Sequence, residues 1–326
     1  MELIRSLHNL RHHHKKCVAT IGNFDGIHLG HQAIISQLKE IAKKYDLPTV
    51  VIIFEPQPQE YFSPDHAPAR LTRLREKVEE MDRLGVDRLV CIKFNGGLAN
   101  LSAREFVERL LIEGLEISHL VVGDDFRFGK NRQGDYSSLE KMADEFGYEL
   151  DHTDTCLFKG ERISSSRIRQ ALANDDLTLA RGLLGRDYAI SGRVVHGDKR
   201  GKELGFATAN MELHRLHSPI MGVFITRVHI KHNREPGESS HHAVTSIGTR
   251  PMFDGEGIRL ETHILDFDEN IYAKHIRVEF LEKLRSEMKY SDVNDLKKAI
   301  ESDIENARQY FAKNSRGVEK SSLSID

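Results

Sequence analysis

Two histidines three positions apart, His28 and His31, are the residues whose types and spacing point most directly to chemistry. An apolar run that predicts a strand, Cys17–Ile21, precedes them, and apolar residues at helical spacing follow. The N–H groups and positive dipole end of a helix attract anions at such a turn. Two imidazoles on one helical face, with Gly30 allowing close approach to the backbone, could hold a polyphosphate. Two surface histidines, or half of a metal site, are the simpler interpretation of this spacing alone.

A second candidate phosphate-binding segment contains Gly197, Gly201 and Gly205, spaced four apart with basic residues such as Lys199 between them. Glycines at this spacing allow a tight loop to wrap around a phosphate. The segment is not a Walker P-loop, because no Gly-Lys-Ser/Thr leads into a helix. A glycine-rich hairpin is the alternative interpretation.

Three consecutive hydroxyl residues, Ser164, Ser165 and Ser166, precede an apolar helical stretch that also carries Arg167 and Arg169. Hydroxyls, helix N–H groups and arginines, which bind phosphate as a fork, would suit a triphosphate. An ordinary helix N-cap explains the serines equally well.

The elements that must position these residues begin with a run of alternating strands and helices from Cys17 to Ala173. This alternation predicts an α/β domain with a doubly wound parallel sheet. Ligands of such sheets bind beyond the carboxyl ends of the strands. Phe54 ends one predicted strand, which Pro56 and Pro58 follow, and Asp125 follows another strand. A purely structural turn is the alternative for the proline segment.

The pattern changes after Gly185, where short alternating strands replace the helices. Such strands are typical of a β-barrel or a β-sandwich. We predict an antiparallel barrel, because closure removes exposed sheet edges. A final helix with an apolar stripe from Val293 to Phe311 is expected to pack on the barrel. We therefore predict domains at residues 1–183 and 184–313, and expect the polar tail, 314–326, to be disordered.

The composition, 326 residues with 39% hydrophobic and 30% charged, is typical of a globular protein of two domains. A net charge of −3 argues against nonspecific nucleic-acid binding. Three scattered cysteines argue against a disulfide framework and favour a reducing cytoplasm. The longest apolar run, Val50–Phe54, is too short to span a membrane, and the N-terminus lacks a signal-peptide pattern. We expect a cytoplasmic protein without nucleic-acid, membrane or obligatory protein partners, and a solvated turn at His12–His14.

The run from Gly22 to His31, Gly-Asn-Phe-Asp-Gly-Ile-His-Leu-Gly-His, resembles the His-x-Gly-His signature of nucleotidyltransferases. Its form is that of the prokaryotic bifunctional riboflavin kinase/FMN adenylyltransferases. Further segments resemble motifs of the same family, in order along nearly the whole chain: residues 123–129, 163–169, 197–210, 247–253 and 284–290. The sequence departs from the family at Ser166, which replaces a threonine and keeps its hydroxyl. It also departs at Ala207, which replaces a proline; this change removes no ligand. Tyr290 replaces a phenylalanine.

This resemblance implies a first domain that adenylylates FMN to FAD, releasing pyrophosphate, and a second domain that phosphorylates riboflavin to FMN. It implies catalytic roles for His28 and His31, and for Glu261 as the base that accepts the proton of the ribityl hydroxyl. Thr208 and Asn210 would hold the Mg²⁺ that accompanies ATP. Riboflavin, FMN and ATP are the implied small-molecule ligands.

The other implied site residues bind either ATP or flavin. Those implied to bind ATP are Gly22, Asn23, Phe24, Gly30, Ser164, Ser165, Arg167, Gly197, Lys199, Gly201 and Gly205. Those implied to contact flavin are Phe54, Pro56, Pro58, Asp125 and Arg285.

Two other functions fit part of the sequence. A nucleotidyltransferase with another acceptor, such as a cytidylyltransferase, would use the first domain equally well, but it has no use for Thr208, Asn210 and Glu261. A flavin sensor without kinase activity is the alternative for the second domain, prompted by Ala207.

Overall fold

A computed structural model describes residues 1–197, 205–213, 217–231, 238–252 and 255–318. The chain divides into two compact units. Unit 1 contains Met1–Ile168 and Leu183–Gly185, and unit 2 contains Arg169–Gly182 and the chain from Arg186 onward. Lys199, Gly201 and the last part of the predicted tail, from residue 319, lie outside the described residues. Within the described ranges, no helix has both the length and the apolar character needed to cross a bilayer.

Unit 1 is built on a parallel sheet of six strands. They are β1 Glu2–Arg5, β2 Val18–Ile21, β3 Thr49–Glu55, β4 Arg88–Lys93, β5 His119–Gly123 and β6 Glu149–Thr153. Their order across the sheet is β1-β4-β3-β2-β5-β6, and each neighbouring pair is parallel. Parallel strands covered on both faces are apolar throughout, which explains the continuous run in β3.

Helices cover both faces of this sheet. The α-helices of unit 1 are α1 Leu29–Tyr45, α2 Pro58–Phe62, α3 Leu74–Arg83, α4 Gly96–Ala99, α5 Ala103–Phe106 and α6 Tyr136–Phe146. Two further helices, α7 Ser165–Ala173 and α8 Leu177–Leu184, have residues in both units. Side chains of α1 and α3 pack on one face with Val18, Val51 and Ile53. Side chains of α6 and of a π-helical stretch, Val107–Gly114, pack on the other face with Ile52. The predicted doubly wound sheet is confirmed.

A small hairpin, β7 Leu157–Phe158 and β8 Glu161–Arg162, follows β6. The strands of unit 2 are β9 Tyr188–Arg193, β10 Ala209–Glu212, β11 Gly222–Lys231, β12 Glu238–Met252, β13 Gly255–Ile264 and β14 His275–Arg285. They form one antiparallel sheet in the order β10-β13-β12-β11-β14-β9. Val195, just past β9, donates its N–H to the Asn210 carbonyl of β10 over 2.8 Å, so the two edge strands meet. The predicted antiparallel barrel is therefore confirmed.

The two faces of the barrel sheet differ in chemistry. Three threonines, Thr226, Thr245 and Thr262, are fully buried inside, where their hydroxyls are linked by hydrogen bonds of 2.7 and 3.0 Å. A closing helix, α9 Val293–Val318, covers part of the outer face. There Ala307 of α9 packs in a cluster with Val244 and other side chains of the sheet. Because side chains alternate along a strand, the residues next to the buried threonines point outward.

Candidate active sites

The residues predicted for adenylyl transfer lie at the carboxyl edge of the unit 1 sheet. Strands β3 and β4 lie on one side of β2, and β5 and β6 lie on the other, so the direction of winding reverses between β2 and β5. Doubly wound sheets bind ligands in the crevice that such a reversal leaves beyond the strand ends. The segment after β2 carries His28 and His31, and the segment after β5 carries Asp125.

Residues 22–28, which we call the histidine loop, have an unusual backbone. Phe24 and Ile27 have φ angles of +46° and +43°. This left-handed conformation costs a non-glycine residue about 1–2 kcal/mol and is rare for a β-branched one. Both side chains are buried, and the Phe24 ring packs against Gly22. A contact of Phe24 with ATP would therefore use its backbone, and tertiary packing must maintain the loop's shape.

Asp25, which was assigned no role from the sequence, anchors the histidine loop. Its carboxylate accepts hydrogen bonds from the N–H groups of Leu71, at 3.1 Å, and Thr72, at 2.9 Å. The Thr72 hydroxyl donates to the same carboxylate at 3.1 Å and accepts the Gly26 N–H at 2.9 Å. The Ser165 hydroxyl donates to the Asp25 carbonyl at 2.8 Å. The only sequence signal for this role was an acidic residue inside an otherwise apolar, glycine-flanked motif.

His28 and His31 lie together on the first turn of α1, as predicted. His28 is the N-cap residue, and its Nδ1 accepts the backbone N–H of His31 at 3.3 Å. The two imidazoles stack with centroids 3.7 Å apart and planes 14° apart. Gly30 makes room for this pair, because a Cβ at this position would lie 3.2 Å from the His28 ring.

Both interpretations of the serine segment find support in its geometry. The Ser164 hydroxyl accepts the Arg167 N–H at 3.2 Å and so caps α7. The Ser165 hydroxyl contacts the histidine loop, so α7 begins beside the predicted phosphate site. The Arg167 guanidinium donates to the carbonyls of Phe158 and Glu161, both at 3.0 Å, and thereby holds the β7–β8 hairpin. Its role in ATP binding stays a prediction.

Asp125 pairs with Arg162 of β8 at 2.6 Å. Their side chains are 65% and 49% exposed, so this ion pair contributes little to stability and a ligand could displace it. The neighbouring Asp124 accepts the Thr155 hydroxyl at 3.0 Å. Both contacts tie the segment after β5 to the segment after β6.

Of the residues predicted to contact flavin near β3, Phe54 is 7% exposed and packs against Phe94 and Phe106 in the core. Pro56 and Pro58 are half-buried, and Pro58 is the first residue of α2. The prolines are thus more accessible to a ligand than the Phe54 ring.

An aromatic cluster of Tyr61, Phe62 and Phe94 lies beside these prolines and was not predicted. Its ring centroids are 5.3, 5.4 and 5.7 Å apart. Phe62 is 63% exposed and Tyr61 is 41% exposed. Exposed aromatic side chains grouped in this way are typical of binding surfaces. The adjacent Tyr-Phe pair after a proline turn was the signal available in the sequence.

In unit 2, Asn210, Glu261 and Ser246 form a row across three strands. Asn210 of β10 is paired in register with Glu261 of β13, which is paired with Ser246 of β12. Directly paired residues of antiparallel strands have side chains on one face, with Cβ atoms about 4.5–5.5 Å apart. The row lies on the outer face, since the adjacent Thr262 is buried inside. The fold thus brings the predicted base next to a predicted metal ligand.

The turn before β10 completes this corner. The Asn210 Nδ2 donates to the carbonyl and the hydroxyl of Thr208 at 3.3 and 3.4 Å. Gly197 packs so closely on the Asn210 amide that any Cβ there would collide with it. Gly205 has a φ of +92°, which favours glycine.

His263, two positions after Glu261 on the outer face, holds the same turn. Its Nδ1 hydrogen-bonds to the Ala207 carbonyl at 2.9 Å, and its ring contacts Phe206 edge-to-face. This side chain therefore supports the position where the family usually has proline.

A second carboxylate, that of Glu287, lies beside the row. The Ser246 hydroxyl donates to its Oε1 at 3.3 Å, and the carboxylate occupies the space over Gly248. Ser286 and Glu287 line a cleft of about 340 Å³. Its apolar lining includes Leu172, Pro219, Ile220 and Met221.

Arg285, predicted to contact flavin, forms an ion pair with α9. Its Nε and Nη2 donate to the Asp303 carboxylate at 3.1 and 2.7 Å, and Asp303 is 5% exposed. Burial alone would lower the pKa of the guanidinium, but the hydrogen bond and charge of Asp303 raise it. A flavin contact of Arg285 stays a prediction, whereas its part in fixing the closing helix follows from these bonds.

We expect Arg285→Ala to lower the free energy of unfolding of unit 2 by about 2 kcal/mol, because it leaves the Asp303 carboxylate buried without its partner. Urea denaturation would measure this loss. Arg308→Ala is the matched control, since Arg308 pairs with Asp266 through two similar bonds, at 2.9 and 2.7 Å, that are exposed to solvent. Equal losses of stability in the two variants would contradict the stabilising role of the buried Arg285–Asp303 ion pair.

Among the described residues, one group has the spacing of metal ligands: Glu2, His13 and His14. The His14 Nδ1 accepts the Arg11 N–H at 2.8 Å, and its Nε2 bonds to Glu2 at 3.1 Å. Since Nδ1 is an acceptor, Nε2 carries the ring proton and is not available to a metal. The group therefore ties the His12–His14 turn to β1.

Two family models match successive parts of the chain: a FAD synthetase model over residues 10–167 and a riboflavin kinase model over residues 184–311. The bifunctional riboflavin kinase/FMN adenylyltransferase of Escherichia coli (strain K12) is 46% identical over 312 residues, which cover 95% of this chain and 98% of that protein. The chain belongs to the bifunctional riboflavin kinase/FMN adenylyltransferase family. As a member of this family it is an enzyme, as predicted.

Two further proteins, one of them with the same description as the Escherichia coli relative, are similar to nearly the whole chain. The relative of the same description from Haemophilus influenzae is 44% identical over 311 residues, covering 95% of this chain and 99% of that protein. A crystal structure of a macrolide-efflux protein from Streptococcus pneumoniae is 30% identical, with a TM-score of 0.79 over 94% of this chain and 99% of that one.

Proposed function

We propose that unit 1 joins FMN to the AMP part of ATP and that unit 2 phosphorylates riboflavin, with domain limits near residues 183 and 313. The chain then makes FMN and converts it to FAD with release of pyrophosphate. The observation that carries this proposal is that each unit has its own cluster for phosphate chemistry. His28 and His31 lie at the reversal point of the parallel sheet, and Asn210 and Glu261 are paired on the barrel.

In the kinase step, Glu261 accepts the proton of the terminal ribityl hydroxyl while that oxygen attacks the γ-phosphorus of ATP. The bond between this phosphorus and the bridging oxygen breaks, and ADP leaves. Asn210 and Ser246, on either side of Glu261, keep the reacting groups in place. The cleft beside Glu287, with its apolar walls, would take the flavin ring.

Thr208 and Asn210 would hold the Mg²⁺ that accompanies ATP in the kinase step. Their side chains offer oxygen atoms from one turn, and the Asn210 amide donates through Nδ2, so its Oδ1 can face a cation. Oxygen ligands are those that Mg²⁺ prefers. When bound, the ion would neutralise charge on the transferred phosphate.

In the adenylyltransferase step, a phosphate oxygen of FMN attacks the α-phosphorus of ATP, and the bond to the bridging oxygen of pyrophosphate breaks. The FMN phosphate is already an anion, so no base is needed. His28, His31 and the N–H groups at the start of α1 stabilise the charge on the α-phosphate and the leaving group. The start of α7 at Ser165 lies against the same loop and supplies further donors.

The aromatic cluster of Tyr61, Phe62 and Phe94 is the proposed platform for the isoalloxazine ring of FMN. It adjoins Pro58 on α2, beyond the carboxyl ends of β3 and β4. A planar flavin ring stacks favourably on exposed aromatic faces.

Incubation of the purified chain with riboflavin, ATP and MgCl₂, followed by chromatographic separation of flavins, tests the proposal. FMN and FAD should both form, and EDTA should stop their formation until Mg²⁺ is restored. Unchanged riboflavin would point to a flavin sensor. FMN that is not adenylylated would point to another acceptor. A reducing cytoplasm is the proposed location, supported by free thiols at Cys17, Cys91 and Cys156.

A further inference from the structure

Lys77, on α3, is a buried lysine beneath the histidine loop with no part in the proposed mechanism. Its side chain is 0% exposed, and its ammonium group donates to the Asn23 carbonyl at 2.7 Å. Burying an ammonium group costs free energy, so such groups cluster where the charge is used. The carbonyl that receives this charge belongs to the loop that leads into His28.

The charged side chains around Lys77 do not neutralise it by direct contact. Within the described residues, no carboxylate lies at ion-pair distance from its ammonium group. Asp25 is bound by the 71–72 segment, and Arg70 pairs with both Glu55 and Glu60. Burial lowers the pKa of Lys77; the charges of Asp25, Glu55 and Glu60 oppose this, and the charge of Arg70 adds to it.

A hydrogen bond from an ammonium group polarises the peptide group that accepts it. The Asn23–Phe24 peptide therefore has a more positive N–H on Phe24. The same bond restrains the residue before the left-handed Phe24, with its φ of +46°. An anion bound by the backbone of the histidine loop would gain from both effects.

We propose that Lys77 is a positioning residue of the adenylyltransferase site, whose ammonium group holds and polarises the Asn23–Phe24 peptide for ATP binding. This inference rests on the proposed function of unit 1. It adds a requirement for a buried positive charge that does not itself touch the substrate.

The variant Lys77→Met keeps the length and apolar body of the side chain but removes the charge. We expect kcat/KM for FAD formation from FMN and ATP to fall about tenfold to a hundredfold, mainly through a higher KM for ATP, because a misplaced site loses rate steeply. FMN formation from riboflavin, measured on the same chain, should stay within about twofold of the unsubstituted rate, since Lys77 lies in unit 1. Lys39→Met is the control for loss of a lysine-to-carbonyl hydrogen bond, because the exposed Lys39 donates to the Leu84 carbonyl at 2.8 Å away from the histidine loop.

The pH dependence of the two activities distinguishes a role of the Lys77 charge from a merely structural role of the side chain. Because the pKa of Lys77 is lowered, its proton is lost at a lower pH than that of an exposed lysine. The ratio of FAD formation to FMN formation should therefore fall as the pH is raised, and the part of this fall that is due to Lys77 should be absent in Lys77→Met.

The outcomes separate this inference from the proposed function. Normal FAD formation by Lys77→Met, with FAD formation lost in His28→Ala, overturns the role of Lys77 alone. Normal FAD formation by both variants overturns the proposed adenylyltransferase site of unit 1. If Lys77→Met does not fold, Lys77→Gln takes its place, because it keeps an N–H donor for the Asn23 carbonyl and removes the charge. FAD formation by Lys77→Gln at the unsubstituted rate overturns the inference.

Discussion

Replacing His28 by alanine is expected to abolish FAD formation while FMN still accumulates from riboflavin. The imidazole stacks on His31 at the start of α1, where the proposed site stabilises charge on the α-phosphate. Loss of one such stabilising group costs about 10²–10³-fold in rate. The two flavins separate chromatographically, so a single reaction mixture reports both activities.

His28 also caps α1, and a second variant separates this role from the chemistry. Asparagine is a good N-cap residue, so His28→Asn should be as inactive as His28→Ala but about 1 kcal/mol more stable. His8→Ala, at an exposed histidine, should leave both activities unchanged. Simultaneous loss of FMN and FAD formation in His28→Ala would contradict independent sites.

The complementary result is expected for Glu261→Gln, which should stop FMN formation but not FAD formation from supplied FMN. Glutamine keeps the size of the side chain and cannot accept the proton of the ribityl hydroxyl. Loss of a general base lowers rates by about 10²–10⁴-fold. Initial rates with riboflavin, and separately with FMN, measure the two steps.

Glu282→Gln is the control for this variant, because Glu282 is an exposed glutamate on β14 of the same barrel. It should retain both activities. Wild-type kinase activity in Glu261→Gln would exclude Glu261 as the base, and loss of the adenylyltransferase step as well would show that the substitution damages more than unit 2.

Much of the fold could be predicted because its signals are local. The parallel strands that are buried on both faces are continuous apolar runs, and the barrel strands alternate. Strands β1 and β10 were not predicted. Each has four residues, and β1 buries only one of them, so neither produces a clear period. Their place in the sheets is decided by pairing with β4 and β13.

The site residues also divide into those placed by local geometry and those placed by contacts between distant segments. The contact between His28 and His31 follows from helical geometry, since residues three apart share a face. The anchoring of Asp25 by Leu71 and Thr72 and the bond from Lys77 to Asn23 join segments far apart in sequence. Nothing in the spacing of these residues indicates such contacts. The hydrogen-bond partners of Arg167 and Arg285 also could not be predicted from the sequence.

The sequence by itself determined the α/β and barrel classes, the histidine pair, and the order of motifs that indicated two activities on ATP. The fold classes and the histidine pair follow from backbone geometry, which repeats every two residues in strands and every three to four in helices. The two activities were indicated by the resemblance of the motifs to a known family. Only the tertiary structure decided that Asn210 lies opposite Glu261 and that a buried lysine supports the histidine loop. Strand register and the burial of charge depend on packing between distant segments, which no local period encodes.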